Sequence, residues 1–214
     1  MENLIRNEFI AFFYMQKRSD FKNGETEDSI RMKADIEKHQ CADPYFEISD
    51  IGGHIEIYTT ANHGVGKFIN PMRVNVMVSN YDKFLTSLPN EIQRGKKRCD
   101  AIIYTGTKKN FLLGEVKITG DNAAKTTANK QFLDTLEMLL SVPAIKQYID
   151  TFPVRRCCRF LQKPAEAPDG ITAPASFNKL NSLYQDGYHI SHSGIEEFGF
   201  ELFRYSHTQR CELA

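Results

Sequence analysis

One stretch constrains the fold more than any other. In Cys99-Asp-Ala-Ile-Ile-Tyr-Thr-Gly-Thr-Lys-Lys-Asn-Phe-Leu-Leu-Gly-Glu-Val-Lys-Ile118, two apolar runs flank a polar turn, and each run carries an acid at its outer end. Ala101 to Tyr104 and Phe111 to Val116 suit a pleated sheet, and Thr105-Gly-Thr-Lys-Lys-Asn110 has the glycine and polarity of a hairpin loop. Centring that loop between Thr107 and Lys108 sets Asp100 directly opposite Glu115, and period-two alternation adds Lys117 to the same face. A loop with an odd residue count would slide the pairing by one and move Asp100 to the other face. Both strands are apolar on both faces, as in a central pair covered on each side. The acids are therefore exceptions in a buried context, where ionisable groups are rare unless paired or functional. Facing carboxylates repel unless something cationic sits between them, and a divalent ion with an adjacent ammonium would meet that need. The bland alternative is that Glu115 and Lys117 sit near a strand end, solvated or paired with each other.

The flanking chain reads as alternating helices and strands. A helix is expected from about Asn122 to Val142, capped by Asp121 or Asn122, with Ala124, Ala128, Phe132, Leu136, Leu139 and Leu140 as its apolar stripe and Pro143 as its stop. Glu2 to Gln16 reads as a second amphipathic helix whose Leu4, Ile5, Phe9, Phe12 and Phe13 are expected to cover the opposite face of the sheet. Thr26 to Lys38 reads as a short helix. His54 to Thr60 and Met72 to Val78 alternate like strands, one of which should precede Asp100 in the core. Tyr81 to Leu88 reads as a brief helix ending at Pro89. Val154 to Leu161 and Phe198 to Tyr205 suit strands, Phe177 to Tyr184 a helix, and Lys163 to Ser176, with three prolines and a glycine, a loop. The 214 residues and 41% hydrophobic content fit a single α/β domain over 1–214, with an irregular elaboration at about 162–196.

An aspartate, a strand, a turn and Glu-Val-Lys at the end of the next strand, followed by a helix, resembles the PD-(D/E)XK nuclease superfamily, the restriction-endonuclease-like fold. That resemblance implies an αβββαβ core with a mixed central sheet flanked by helices, and Mg²⁺ or Mn²⁺ at the open end of the hairpin. Carried across, Asp100 and Glu115 are the carboxylate ligands, the Val116 carbonyl is a further ligand, and Lys117 orients the attacking water. Superfamily members also carry an acid on the first core helix, for which Glu8 is the best placed match, although Glu2, Glu27, Glu37 and Glu56 are alternatives. Some carry a polar residue on the following helix that reaches the scissile phosphate, which makes Gln131 a minor candidate. A proline often precedes the aspartate in the superfamily; Cys99 stands there, and that position is not a ligand.

Such a constellation suits phosphodiester hydrolysis, because an ion neutralises phosphate charge and acidifies a bound water while an ammonium holds that water. Oxygen ligands without nearby His or Cys favour Mg²⁺ or Mn²⁺ over zinc. Lys96, Lys97 and Arg98 precede the aspartate and, with Lys125, could contact flanking phosphates, although a solvated charge run explains them equally well. Globally, 27 Lys plus Arg balance 27 Asp plus Glu, so net charge gives nucleic-acid binding no support. No long apolar stretch or secretory signal stands out, and five cysteines without Cys-x-x-Cys spacing fit a reducing, cytoplasmic setting.

Three decoys carry less. Asn62-His-Gly-Val-Gly-Lys67 looks like a phosphate loop, but Ala61 replaces its first glycine and Phe68 its Ser or Thr. His39-Gln-Cys41 and His189-Ile-Ser-His192 lack a second ligand pair for zinc, and Ser191 and Ser193 near His192 lack any sign of a nucleophile elbow. The leading expectation is a metal-dependent nuclease, a DNA endonuclease ahead of an RNA enzyme, with no membrane partner. Many superfamily members act as dimers, so a homodimer is open. The rival is a catalytically silent nuclease-like fold that binds nucleic acid or protein; a carboxylate-pair acyl or glycosyl hydrolase ranks last.

Overall fold

Thr105 sets the register of the central hairpin. Its hydroxyl accepts the N–H groups of Lys109 and Asn110, each at 3.1 Å, its carbonyl accepts Lys108 N–H at 3.0 Å, and Lys108 turns the chain at φ 56°. Strand β6 (Ala101–Thr105) therefore pairs antiparallel with β7 (Asn110–Lys117), Ala101 opposite Gly114 and Tyr104 opposite Phe111. The register is the one in which Asp100 faces Glu115. The computed structural model describes residues 1–21, 24–117, 122–162 and 187–213, with no side chains for 122–124.

Around this hairpin the described strands form a large mixed sheet in the order β1-β5-β6-β7-β8-β10-β9. Its members are β1 (Lys38–Cys41), β5 (Val76–Asn80), β6, β7, β8 (Val154–Leu161), β10 (Glu201–Tyr205) and β9 (Tyr188–Ile190). Strands β5, β6 and β7 form an antiparallel meander. Helix α5 (Asn122–Ser141) then carries the chain over to β8, which runs parallel to β7. Thus the second alternating segment supplies the strand before Asp100, shifted to Val76–Asn80. Strand β8 falls where the sequence puts it, and its Cys157 and Cys158 face opposite cores as free thiols.

The two faces are covered differently. Helix α1 (Ile10–Gln16), entered through a π-helical turn at Leu4–Phe9, packs Ile5, Phe9, Ile10 and Phe13 into the same buried cluster as Phe132 and Leu136 of α5. The first helix is thus on the α5 face, not on the opposite face the sequence suggests. A second sheet takes that place. It has the order β11-β4-β2-β3, from Cys211–Glu212, Gly66–Ile69, Tyr45–Ile51 and His54–Tyr58. Its Phe46, Ile48 and Phe68 are fully buried against Val78, Ile103, Leu112 and Phe160 of the large sheet. Each such phenylalanine contributes roughly 1.5–3 kcal/mol of burial, which explains why β6 and β7 are apolar on both faces.

Shorter elements follow local rules. Thr26 caps α2 (Glu27–Lys33) through a box with Ser29, and Asn80 caps α3 (Tyr81–Ser87) by accepting Lys83 N–H at 2.9 Å. Pro143 does not simply end α5: it is the first residue of α6 (Pro143–Ile149), where its missing N–H costs nothing. Of the expected elaboration, 187–196 supplies β9 and a short helix at Ser193–Glu196, whereas the loop at 163–176 and the helix at 177–184 lie outside the described residues. Among the described residues, no helix is long and apolar enough to cross a membrane.

Candidate metal centre

Helix α5 pins the segment that delivers Asp100. Gln131, Asp134 and Thr135 stand three and four residues apart on one helix face. Gln131 Nε2 donates to the Arg98 carbonyl at 2.8 Å, Asp134 Oδ2 accepts Lys97 N–H at 2.9 Å, and Thr135 Oγ1 accepts Cys99 N–H at 3.0 Å. From the other side, the first N–H of α3, that of Tyr81, donates to the Asp100 carbonyl at 2.9 Å, while Asp100 N–H donates to Gly114 at 3.0 Å. The backbone of Asp100 is thereby held between a helix start, a helix flank and β7. Asp134 and Thr135 are positioning residues that the sequence alone does not single out.

The side chains then meet as the register requires. Asp100, 8% exposed, uses Oδ2 to accept Val116 N–H at 2.6 Å. Glu115 is 0% exposed and neither of its carboxylate oxygens accepts a well-formed hydrogen bond, although the Lys117 ammonium lies against Oε1. Burial raises both acids, Asp100 to about 7 and Glu115 to about 8, against the pull of Lys117. Asp100 raises Glu115 further, and the two titrate as a pair. The Gln131 amide sits close enough to favour the Glu115 anion, but its well-formed bond goes to Arg98. Lys117 and Glu115 do touch, so the bland pairing is real. It satisfies one charge and leaves two carboxylates facing each other in a poorly solvated place.

Other expected residues are distributed unevenly. Val116 is half-buried between Glu115 and Lys117 on β7. Lys96 and Arg98 are partly spent inside the protein, on Glu137 and on Asp82 and Thr86. Lys97 and Arg94 are exposed and, with Arg98, Gln131 and Asp82, line a polar cleft of about 470 Å³. Lys125 is exposed on the first half of α5. Glu8 is not brought to the centre. It is exposed in a groove beside Val142 and Pro143, past the far end of α5 and roughly 16 Å along the helix from Gln131 at 1.5 Å per residue. The first helix presents its apolar stripe to the core and leaves Glu8 on its outer side, so the alternation that buries Phe9 exposes its neighbour.

Two acids missed by the sequence reading stand nearer. Asp50, at the end of β2, raises Asp100 electrostatically and is itself raised by burial, with Lys117 pulling the other way; its Oδ1 accepts Gly53 N–H at 3.0 Å. Asp82, in the first turn of α3, also raises Asp100. Neither is legible without the tertiary fold, because β2 belongs to the second sheet. Among the described residues, no three His, Cys, Asp or Glu side chains converge as a ready ligand set. The donors that do converge fit a hard divalent cation all the same. Mg²⁺ commonly takes one or two carboxylates and completes its shell with water and substrate phosphate, and the buried Glu115 oxygens lack the donors an isolated protein would need.

No family model, no curated protein and no solved structure matches this chain.

Proposed function

We propose that the protein is a Mg²⁺- or Mn²⁺-dependent nuclease that hydrolyses phosphodiester bonds, with DNA as the favoured substrate and an endonucleolytic cut. The observation that carries this is the facing pair Asp100 and Glu115, buried and raised in pKa, with the Glu115 oxygens short of donors and Lys117 beside them. The order of helix, antiparallel meander, helix and parallel strand supports assignment to the restriction-endonuclease-like αβββαβ core.

Asp100, Glu115 and the Val116 carbonyl would hold the ion. When bound, the ion supplies charge neutralisation at the phosphate and a more acidic water. Asp100 is kept in place by the Val116 N–H and by its clamped backbone, so its carboxylate is presented without a search through rotamers. Lys117, released from Glu115, donates to the attacking water and holds it in line. Gln131 and the exposed Lys97 and Arg94 of the adjoining cleft line the path of the strand. The test is cleavage of plasmid, single-stranded DNA and RNA with Mg²⁺, Mn²⁺ or EDTA, using wild type, Asp100→Asn and Lys117→Ala. Cutting that survives EDTA, or that both variants retain, contradicts the assignment.

A silent nuclease-like binding module is the second reading. It is favoured by the absence of a third converging acid among the described residues and by the internal pairing of Lys96 and Arg98. It predicts nucleic-acid or protein binding with no metal-dependent cutting in any arm of the same assay.

A further inference from the structure

Residues from successive strands form one line on the helix-covered face of the large sheet. Asp100 enters β6 opposite Glu115 of β7, Glu115 pairs in register with Arg159 of β8, and Arg159 pairs with Arg204 of β10. The line ends at Tyr188 of β9, in register with Arg204, whose guanidinium lies 5.4 Å from the Tyr188 ring centre. Acids occupy one half of this line and arginines the other.

Arg159 is the anomaly. It is 2% exposed, yet its Nε and Nη1 are buried without a hydrogen-bond partner. Glu115 stands opposite it, but Glu115 meets Lys117 instead and makes no hydrogen bond to Arg159. Burial and the adjacent Arg204 both push the Arg159 guanidinium down from its usual pKa, with Glu115 opposing them. A buried cation with unused donors is costly, and a second guanidinium on the next strand adds repulsion. An oxygen-rich anion would relieve both, and the planar fork of arginine suits phosphate. Arg204 is only half-buried and Tyr188 is 49% exposed, so the arginine half of the line opens toward solvent.

We propose that Arg159 and Arg204 form a phosphate-binding subsite that takes a phosphate group of a nucleic-acid strand beside the position cut at Asp100 and Glu115. The identity of the strand rests on the nuclease reading; the affinity for phosphate does not. Strand spacing puts the arginine pair roughly 5–10 Å from Glu115, within reach of a neighbouring nucleotide.

The test uses the full chain in EDTA at low ionic strength. Inorganic phosphate is titrated while melting temperature is followed, and binding of single-stranded oligonucleotides with and without a 5′-phosphate is measured by fluorescence anisotropy. Wild type should be stabilised by phosphate, and Arg204→Gln should weaken phosphate and oligonucleotide binding roughly tenfold or more. Arg159→Gln should do the same if it folds, and the half-buried Arg204 keeps the test decisive if it does not. A preference for the 5′-phosphorylated oligonucleotide that Arg204→Gln abolishes assigns the subsite to a terminal phosphate; equal binding of both oligonucleotides, reduced alike by the variant, assigns it to an internal one. Absence of any phosphate effect on wild type, or an unchanged effect in Arg204→Gln, overturns the proposal. Phosphate binding that depends on Arg204 in a protein that cuts nothing with Mg²⁺ or Mn²⁺ leaves the subsite standing and removes the nuclease reading.

Discussion

Glu47 and Glu115 are both strand residues with 0% exposure, and their surroundings treat them in opposite ways. Glu47, in the second sheet, accepts the N–H groups of Asn62, His63 and Gly64 at 2.9, 2.8 and 2.6 Å, takes the Tyr45 hydroxyl, and has Lys67 at 3.8 Å. Burial alone would raise it, but Tyr45 and these N–H groups outweigh burial and hold its carboxyl below the usual range. The segment that looked like a phosphate loop thus wraps an internal carboxylate. A Cβ at Gly64 would come within 2.5 Å of Glu47 Cβ, so the wrap needs that glycine. Glu115 has no such cradle, and its carboxyl is raised to about 8. Equal lack of exposure therefore does not give equal roles: a carboxylate the fold has already satisfied is structural, and one more deeply desolvated, short of donors and beside a second acid is left with an unmet need for positive charge.

The strongest way to break this contrast is by substitution at the two positions. Glu47→Ala should cost about 3–5 kcal/mol in urea denaturation, because it strands three N–H groups and a lysine. Glu115→Gln should stay within about 1 kcal/mol of wild type. Equal losses would mean that Glu115 is as structural as Glu47. Activity should divide the other way. Asp100→Asn and Glu115→Gln should slow metal-supported cleavage by about 10²–10³-fold, or about 3–4 kcal/mol of barrier, without lowering melting temperatures. Lys117→Ala should cost about 10²-fold, or about 3 kcal/mol, with metal binding retained.

pH should separate the two sites as well. Unfolded, the Asp100 and Glu115 carboxyls ionise near 4; folded and without metal, they keep protons to about 7 and about 8. Between those limits the folded state holds more protons, so their contribution to stability is full below about pH 4 and is lost as pH rises through 7 to 8. Glu47, lowered by its cradle, contributes above its unfolded pKa and loses that contribution on acidification. Denaturation at pH 3, pH 5 and pH 8.5 should show Asp100→Asn removing part of the loss between pH 5 and pH 8.5, and Glu47→Gln removing part of the loss between pH 5 and pH 3. The same slope in both variants as in wild type would erase the distinction.

Much of the site was legible because it is local. Register in a tight hairpin depends on a few turn residues, so Asp100 opposite Glu115, with Lys117 on the same face, could be read from spacing. The α5 stripe and β8 were legible from periodicity for the same reason. The second sheet was not fully legible. Short strands such as Gly66–Ile69 and Cys211–Glu212 carry too few residues for alternation to stand out, and with that sheet unseen, α1 was assigned the wrong face. Asp50 was missed because its place depends on which strands become neighbours, a tertiary fact. Glu8 failed because an acid on an amphipathic helix is solvated unless its own face is buried, and Phe9, not Glu8, points inward.

The most direct test of the contrast is calorimetric titration of Mn²⁺ into the full chain at pH 7.5, in buffers of different ionisation enthalpy. A facing pair that holds protons near neutrality should bind the ion and release about one proton or more, and Glu115→Gln should abolish that binding while Glu47→Gln retains it. Mn²⁺ binding that is absent from wild type, or that survives Glu115→Gln with unchanged proton release, would contradict the account.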